Sequence, residues 1–267
     1  MNDQGCDLLL TRVEERGDAG RIAWLTVNNP ARRNALGMAG KRAIAAACAG
    51  LAQDDRLRAV VITGAGDKSF IAGADLHEMK GLDAAGAEVE HTLTHTANAA
   101  IRALPVPVIA RINGWCLGFG MELAASCDLR VAADTARFGM PEVRVGIPSG
   151  MEAALLPRLV GWGKATELVL TGDIIDAAEA HHIGFLQSVT PADQLDAKVE
   201  RWIDSLLRGG PRVMRLQKQL LGDWETLSLD DAIHAGIRAC VAARDTDEPK
   251  RMMEAFLENQ RIKKNTK

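Results

Sequence analysis

Tyrosine is absent from the 267 residues, and Phe and Trp occur only five times each. The first absence removes every mechanism that needs a phenolic acid, base or nucleophile. Long apolar runs are missing too: no stretch reaches the roughly 18 residues that a membrane helix needs. The amino-terminal "MNDQGCDLLLTRVEERGDAG" carries acids early and only three consecutive leucines, unlike a secretory signal or an Arg-rich transit peptide. The five cysteines, Cys6, Cys48, Cys116, Cys127 and Cys240, are odd in number, scattered and free of any CxxC pair. They read as reduced thiols of a soluble, cytoplasmic protein, with no disulfide framework and no metal role. His181 and His182, in "AEAHHIGF", have no metal-ligand spacing around them and suggest a helix end with one partly buried ring. No charge of one sign dominates. The formal net charge of −3 leaves no broad electrostatic footprint for nucleic acid or a membrane surface. Short-period repeats and low-complexity linkers are also lacking.

What is present is an ordinary globular composition, 47% hydrophobic and 25% charged, long enough for one large domain or a core with an appendage. Residues 7–13 and 21–28 read as strands around the turn "EERGDAG". An Ala-rich helix ends near Asp54, and "LRAVVITGAG" is a continuous apolar strand of the kind buried on both faces. "SFIAGADLHEM" reads as strand, loop and helix; residues 86–103 as an amphipathic helix; "VPVIARIN" as a strand. A helix over 120–126 then precedes a single strand "LRVAADTARFGM". "PEVRVGIPSG" is loop-like, and "EAALLPRLVGWGKATELVLTG" is helical with an interruption at Pro157. Helices over 192–208, 212–222 and 228–257 precede a solvated basic tail, "RIKKNTK". The pattern is an α/β region over residues 1–190, followed by a helical region over 191–267.

Two loops after apolar strands carry the chemistry. "IAGAD" places Gly73 before Ala74 and Asp75, and "LGFGMEL" sets Gly118 and Gly120 around Phe119. Each leaves free backbone N–H groups at a helix start, and two such donors aimed at one point stabilise an oxyanion. Sequence does not show whether the loops converge. Glu122 follows Phe119 in the first turn of its helix, and Glu142 sits in "GMPEVRVG". Two carboxylates in unlike environments can divide general-acid and general-base duties; either can equally be a simple dipole partner or turn former. A dinucleotide site is rejected, because "GFGMEL" has Leu123 in place of the third glycine and an acid where pyrophosphate would be repelled. A phosphate-binding Lys-Ser/Thr loop is missing as well.

Taken together, "NNPARRNAL", "VVITGAGDKSFIAGADLHEM", "RALPVPVIARINGWCLGFGMELAASCDLRVAADTARFGMPEVRVGIP", "PRLVGWGKATELVLTG" and "MMEAFLE" resemble the enoyl-CoA hydratase/isomerase (crotonase) superfamily, in family order from residue 7 to about 258. The resemblance implies an α/β fold, a crotonase-like spiral of ββα units, with a C-terminal helical region that builds homotrimers or dimers of trimers. It implies an acyl-CoA thioester substrate, coenzyme A being part of that substrate and no separate cofactor or metal being needed. The thioester oxygen would be held by the backbone N–H groups of Ala74 and Phe119, with the Phe119 ring either walling the pocket or pointing into the core. The CoA path would be lined by Asn34, Ala35, Leu36, Ala72, Ala74, Asp75, Leu76 and His77, with Arg33 and Lys68 as phosphate partners.

Retention of both acids resembles the hydratases. Syn addition of water to a trans-2-enoyl-CoA is therefore expected, with Glu122 deprotonating the water that attacks C3 and Glu142 exchanging the proton at C2. The competing readings are an enoyl-CoA isomerase, a related lyase on a branched or unusual acyl-CoA, and a catalytically silent CoA-binding relative. One stretch departs from the family pattern. "GIPSGMEAALLPRL" is a residue shorter than usual and has Glu152 and Ala153 where glycines are common. Glu152 is expected either as a third acid facing the pocket or as a first-turn dipole partner.

Overall fold

The alternation of strands and helices is present in the computed structural model, which describes residues 8–265. Asp7, Cys6 and the last two tail residues lie outside the described residues. A hairpin of β1 (Leu9–Glu15) and β2 (Arg21–Val27) leads to α1 (Met38–Leu51) and β3 (Leu57–Gly64). The chain continues through β4 (Ser69–Ile71), α2 (Leu76–Met79), α3 (Ala84–Arg102), β5 (Val108–Ile112), β6 (Trp115–Leu117) and α4 (Phe119–Ala125). Then come β7 (Leu129–Ala133), β8 (Arg137–Gly139), α5 (Leu156–Val160), α6 (Trp162–Thr171), β9 (Ile175–Asp176), α7 (Ala177–His182) and β10 (Ser188–Thr190). Four helices close the chain: α8 (Leu195–Leu207), α9 (Pro211–Thr226), α10 (Leu229–Ala242) and α11 (Glu248–Asn265).

The strands sort into two sheets, and the sorting explains the spiral. A six-stranded sheet runs β1-β2-β3-β5-β7-β10, and a four-stranded one runs β4-β6-β8-β9. Each turn of the chain gives one strand to the large sheet and the next to the small sheet: β3 then β4, β5 then β6, β7 then β8. Pairing is parallel from β2 to β10 in the large sheet and from β4 to β8 in the small one. Every residue of β3 is buried, as its apolar centre Ala59–Ile62 requires of a strand covered on both faces; Arg58, buried with them, donates to Ala19 C=O. α1 turns Gly40, Ile44, Cys48 and Leu51 inward at helical spacing and packs on α3. Lys41 shares that buried face.

Several expectations change. The strand read over 129–140 is two strands, because the turn at Asp134–Thr135 sends β8 into the other sheet. β6 falls in "GWCLG", which the sequence reading passed over. Residues 141–145 and 151–155 are 3-10 turns, and the single helix read over 228–257 breaks at 243–247 into α10 and α11. The basic tail begins as the last turns of α11, with residues 261–263 exposed. His181 and His182 end α7 as expected, but both are exposed. The chain divides into two compact units at Trp202/Ile203, inside α8. Among the described residues, no helix is long and apolar enough to cross a membrane.

Candidate active site

Three adjacent parallel strands of the small sheet, β4, β6 and β8, end on the same side, and their carboxyl ends deliver the residues singled out from the sequence. Ligands of parallel sheets bind at such ends. After β4 comes Gly73 at φ +115°, a value that favours glycine. The segment Arg33–Leu36 lies alongside this loop. Ala72 N–H donates to Arg33 C=O (3.1 Å), Leu36 N–H to Gly73 C=O (3.1 Å) and Asp75 N–H to Leu36 C=O (3.0 Å). Those bonds occupy the N–H groups of Ala72 and Asp75, whereas the Ala74 N–H has no backbone acceptor among the described residues. The buried Asn34 (φ +60°) holds the segment through Asn29 N–H, Ala65 C=O and Ser69 C=O.

After β6 comes Gly118 at φ +50°. A Cβ built there would lie 4.0 Å from Gly73 Cα and would collide with Glu142 Oε1. The two loops therefore do converge. Gly118 C=O accepts from Met121 and Glu122 N–H (2.8 and 3.0 Å), and Phe119 N–H has no backbone acceptor among the described residues. After β8 comes Glu142, half-buried, whose Oε2 accepts from Ser149 Oγ (2.8 Å).

Glu122 is only 2% exposed. Burial pushes its carboxyl up to about 8, and the nearby charges of Glu142 and Glu152 push the same way, against the Ala153 N–H and Lys41. Ala153 N–H donates to Glu122 Oε1 at 3.3 Å. Desolvation here outweighs the favourable first-turn position expected from the sequence. Glu122, Glu142, Ala74 and Phe119 all line one cavity of about 640 Å3.

The Phe119 ring is buried beneath the Lys41 ammonium, 4.9 Å from the ring centroid. Lys41 also donates to Thr94 Oγ1 (2.6 Å) and pairs with the buried Glu90. His91 Nδ1 lies 2.8 Å from Glu90 Oε2. Lys41, Glu90, His91 and Thr94 all line the cavity, and sequence reasoning missed all four. Lys41 lies in an Ala-rich helix with nothing nearby in sequence to mark it, and its partner stands 49 residues along the chain.

Arg33, Ala35, Ala72, Asp75, Leu76 and His77 also line the cavity. Arg32, not singled out before, lines it too and donates to Asp75 Oδ2 at 2.5 Å. Although burial opposes it, the His77 N–H and the Arg32 guanidinium hold the Asp75 carboxyl below its usual range. Three expected CoA contacts lie elsewhere. Asn34 is fully buried, its side chain tied to Asn29, Ala65 and Ser69 and outside the cavity lining. Leu36 is in the core, because its backbone bridges to Ala74 and turns its side chain inward. Lys68 is exposed outside the cavity lining, ahead of β4 and not after it. Glu152 does not face the cavity either; it is buried against α3.

A carboxylate pair beside two unpaired N–H groups can move protons at a carbon next to a carbonyl whose oxygen those N–H groups hold. Comparison with known proteins assigns the relationship: a family model described as enoyl-CoA hydratase/isomerase matches residues 17–265. The chain belongs to the enoyl-CoA hydratase/isomerase family. It is 37% identical over 242 residues to a crotonyl-CoA hydratase of Syntrophomonas wolfei, covering 90% of this chain and 93% of that one. It is 34% identical over 244 residues to a short-chain-enoyl-CoA hydratase of Clostridium acetobutylicum, covering 91% and 94%. The crystal structure of an enoyl-CoA hydratase from Mycobacterium smegmatis superposes with a TM-score of 0.89 at 30% identity, over 94% of this chain and 96% of that one. The crotonase fold expected from the sequence is thus present.

Proposed function

We propose that the protein is an enoyl-CoA hydratase that adds water syn across the double bond of a trans-2-enoyl-CoA. The observation that carries this reading is the pair Glu122 and Glu142 in one cavity, beside the N–H groups of Ala74 and Phe119. The two N–H groups take the thioester oxygen and hold the negative charge that develops on it as the enolate forms. Ionised Glu122 accepts a proton from water as the water oxygen bonds to C3. Glu142, steadied by Ser149, delivers a proton to C2, and the pair then re-equilibrates with solvent. Arg32 and Arg33 at the cavity wall are placed to meet CoA phosphates; no separate cofactor or metal enters this reaction.

An isomerase needs only one acid to carry a proton between C2 and C4, so the second, deeply buried carboxylate favours hydration. Incubation of the protein with crotonyl-CoA is expected to yield 3-hydroxybutyryl-CoA. Exclusive formation of a shifted double bond from a longer 3-enoyl-CoA, or CoA binding without turnover across straight and branched enoyl-CoA esters, would overturn the assignment.

Self-association belongs to the same reading. α10 exposes Leu229, Ile233, Ile237 and Val241, one turn apart, an apolar stripe that supports a trimer or a dimer of trimers. Light scattering tests it; a monomer at micromolar concentration contradicts it. The buried thiols of Cys48, Cys116 and Cys127 support a reducing, cytoplasmic setting.

A further inference from the structure

The 3-10 turn Met151–Leu155 touches the site at two points. Met151 lines the cavity with φ +43°, a left-handed conformation that costs a non-glycine residue energy. Ala153, two residues on, donates its N–H to Glu122 Oε1. No side chain caps the start of the turn: its preceding residue, Gly150, offers none. What anchors it is Glu152, pointing away from the cavity and buried. Glu152 Oε2 accepts from Asn98 Nδ2 at 3.0 Å, and Oε1 lies 2.8 Å from His95 Nδ1, both on α3. Asn98 is fully buried, while the His95 side chain is 62% exposed, so the clamp runs from solvent to the inside of α3.

We propose that Glu152, clamped by Asn98 and His95, is a positioning residue for the hydration reaction: it holds the turn whose Ala153 N–H orients Glu122 and whose Met151 walls the acyl cavity. The inference rests on the hydratase reading. The same carboxylate is a buried charge near Glu122, and the inference includes that charge: Glu152 both holds the turn and acts on the ionisation of Glu122. The charged and titratable groups around Glu122 are Lys41 from α1, paired with Glu90 of α3, then Glu142 and Glu152 from the two 3-10 turns. His91 of α3 sits behind Glu90, and Arg130 of β7 bonds the Ala124 and Cys127 carbonyls at the far end of α4. Glu152 is thus one of two acids whose charge opposes ionisation of Glu122. Anchoring and charge can be separated by two substitutions.

Glu152→Gln keeps the shape and the Asn98 hydrogen bond but removes the charge. The acid limb of its kcat/KM profile for crotonyl-CoA is expected to move to lower pH, by roughly half a unit or more. Glu152→Ala removes the anchor as well. Its kcat is expected to fall roughly tenfold or more, as displaced catalytic groups generally do, and with little change in KM. A residue that only stabilised the fold would lower the melting temperature without moving the pH limb. Should the alanine variant fail to fold, the isosteric glutamine variant still decides. A Glu152→Gln profile superimposable on wild type overturns the inference, as does a Glu152→Ala kcat within about twofold of it. Wild-type protein run in the same series separates the two failures. Absence of wild-type hydration overturns the hydratase reading and this inference together, whereas normal hydration with an unmoved limb overturns the inference alone.

Discussion

Glu122→Gln should make the protein more stable near neutral pH while disabling it. In the folded chain burial raises the Glu122 carboxyl from its ordinary value of 4.5 to about 8. The folded state therefore binds this proton more tightly than the unfolded state. The contribution of the group to stability is fully present below 4.5 and is lost as pH rises towards 8. At pH 7 the loss spans 2.5 units from the ordinary value, or roughly 3 kcal/mol at about 1.4 kcal/mol per unit. A glutamine avoids this loss, and its side-chain carbonyl can still accept from Ala153 N–H. For a chain of this size roughly 3 kcal/mol corresponds to about 5–10 °C in melting temperature. Thermal unfolding of wild type and variant at pH 5, 7 and 8 is the assay. The variant's advantage should be small at pH 5 and grow to pH 8. A variant less stable than wild type at pH 7, or an advantage independent of pH, would refute the reasoning that desolvation dominates at Glu122.

Because the base must be ionised, kcat/KM for hydration should rise with pH through about 8 in the free enzyme; a profile that falls across that range would give Glu122 the acid role instead. Lys41→Met leaves Glu90 buried without its cation and should cost roughly 3–5 kcal/mol in urea unfolding. The double change Lys41→Met, Glu90→Met should recover most of that loss. Gly118→Ala places a Cβ against Glu142 Oε1 at a positive φ; kcat should drop by roughly 100-fold, and a variant with wild-type kcat would mean that Glu142 is not seated there during catalysis.

The strands that carry most of the core were legible because β3 and β5 are short and mainly apolar, each interrupted by a single arginine, Arg58 or Arg111. β6 was not, since three residues between Gly114 and Gly118 are too few for any period to register. β7 and β8 merged into one reading because nothing in "ADTA" announces that the next strand leaves for the other sheet. At the site, Gly73, Gly118, Glu122 and Glu142 stood out by residue type and spacing. Their convergence was invisible, because it depends on β4, β6 and β8 being parallel neighbours in the small sheet. Lys41 and Glu90 show the sharper limit: each looks like a solvated charge on its own helix, and only the packing of α1 on α3 buries them as a pair. Arg32 was passed over for Arg33, though it is Arg32 that reaches Asp75. Glu152 was expected either in the pocket or as a dipole partner of its own turn, while its partners lie on α3.

The central claim is that Glu122 and Glu142 act together on one enoyl thioester. Steady-state hydration of crotonyl-CoA by Glu122→Gln and Glu142→Gln, each checked for folding, tests it most directly. Each variant is expected to lose roughly 100-fold or more in kcat while still binding butyryl-CoA. Near-normal turnover in both would contradict the account.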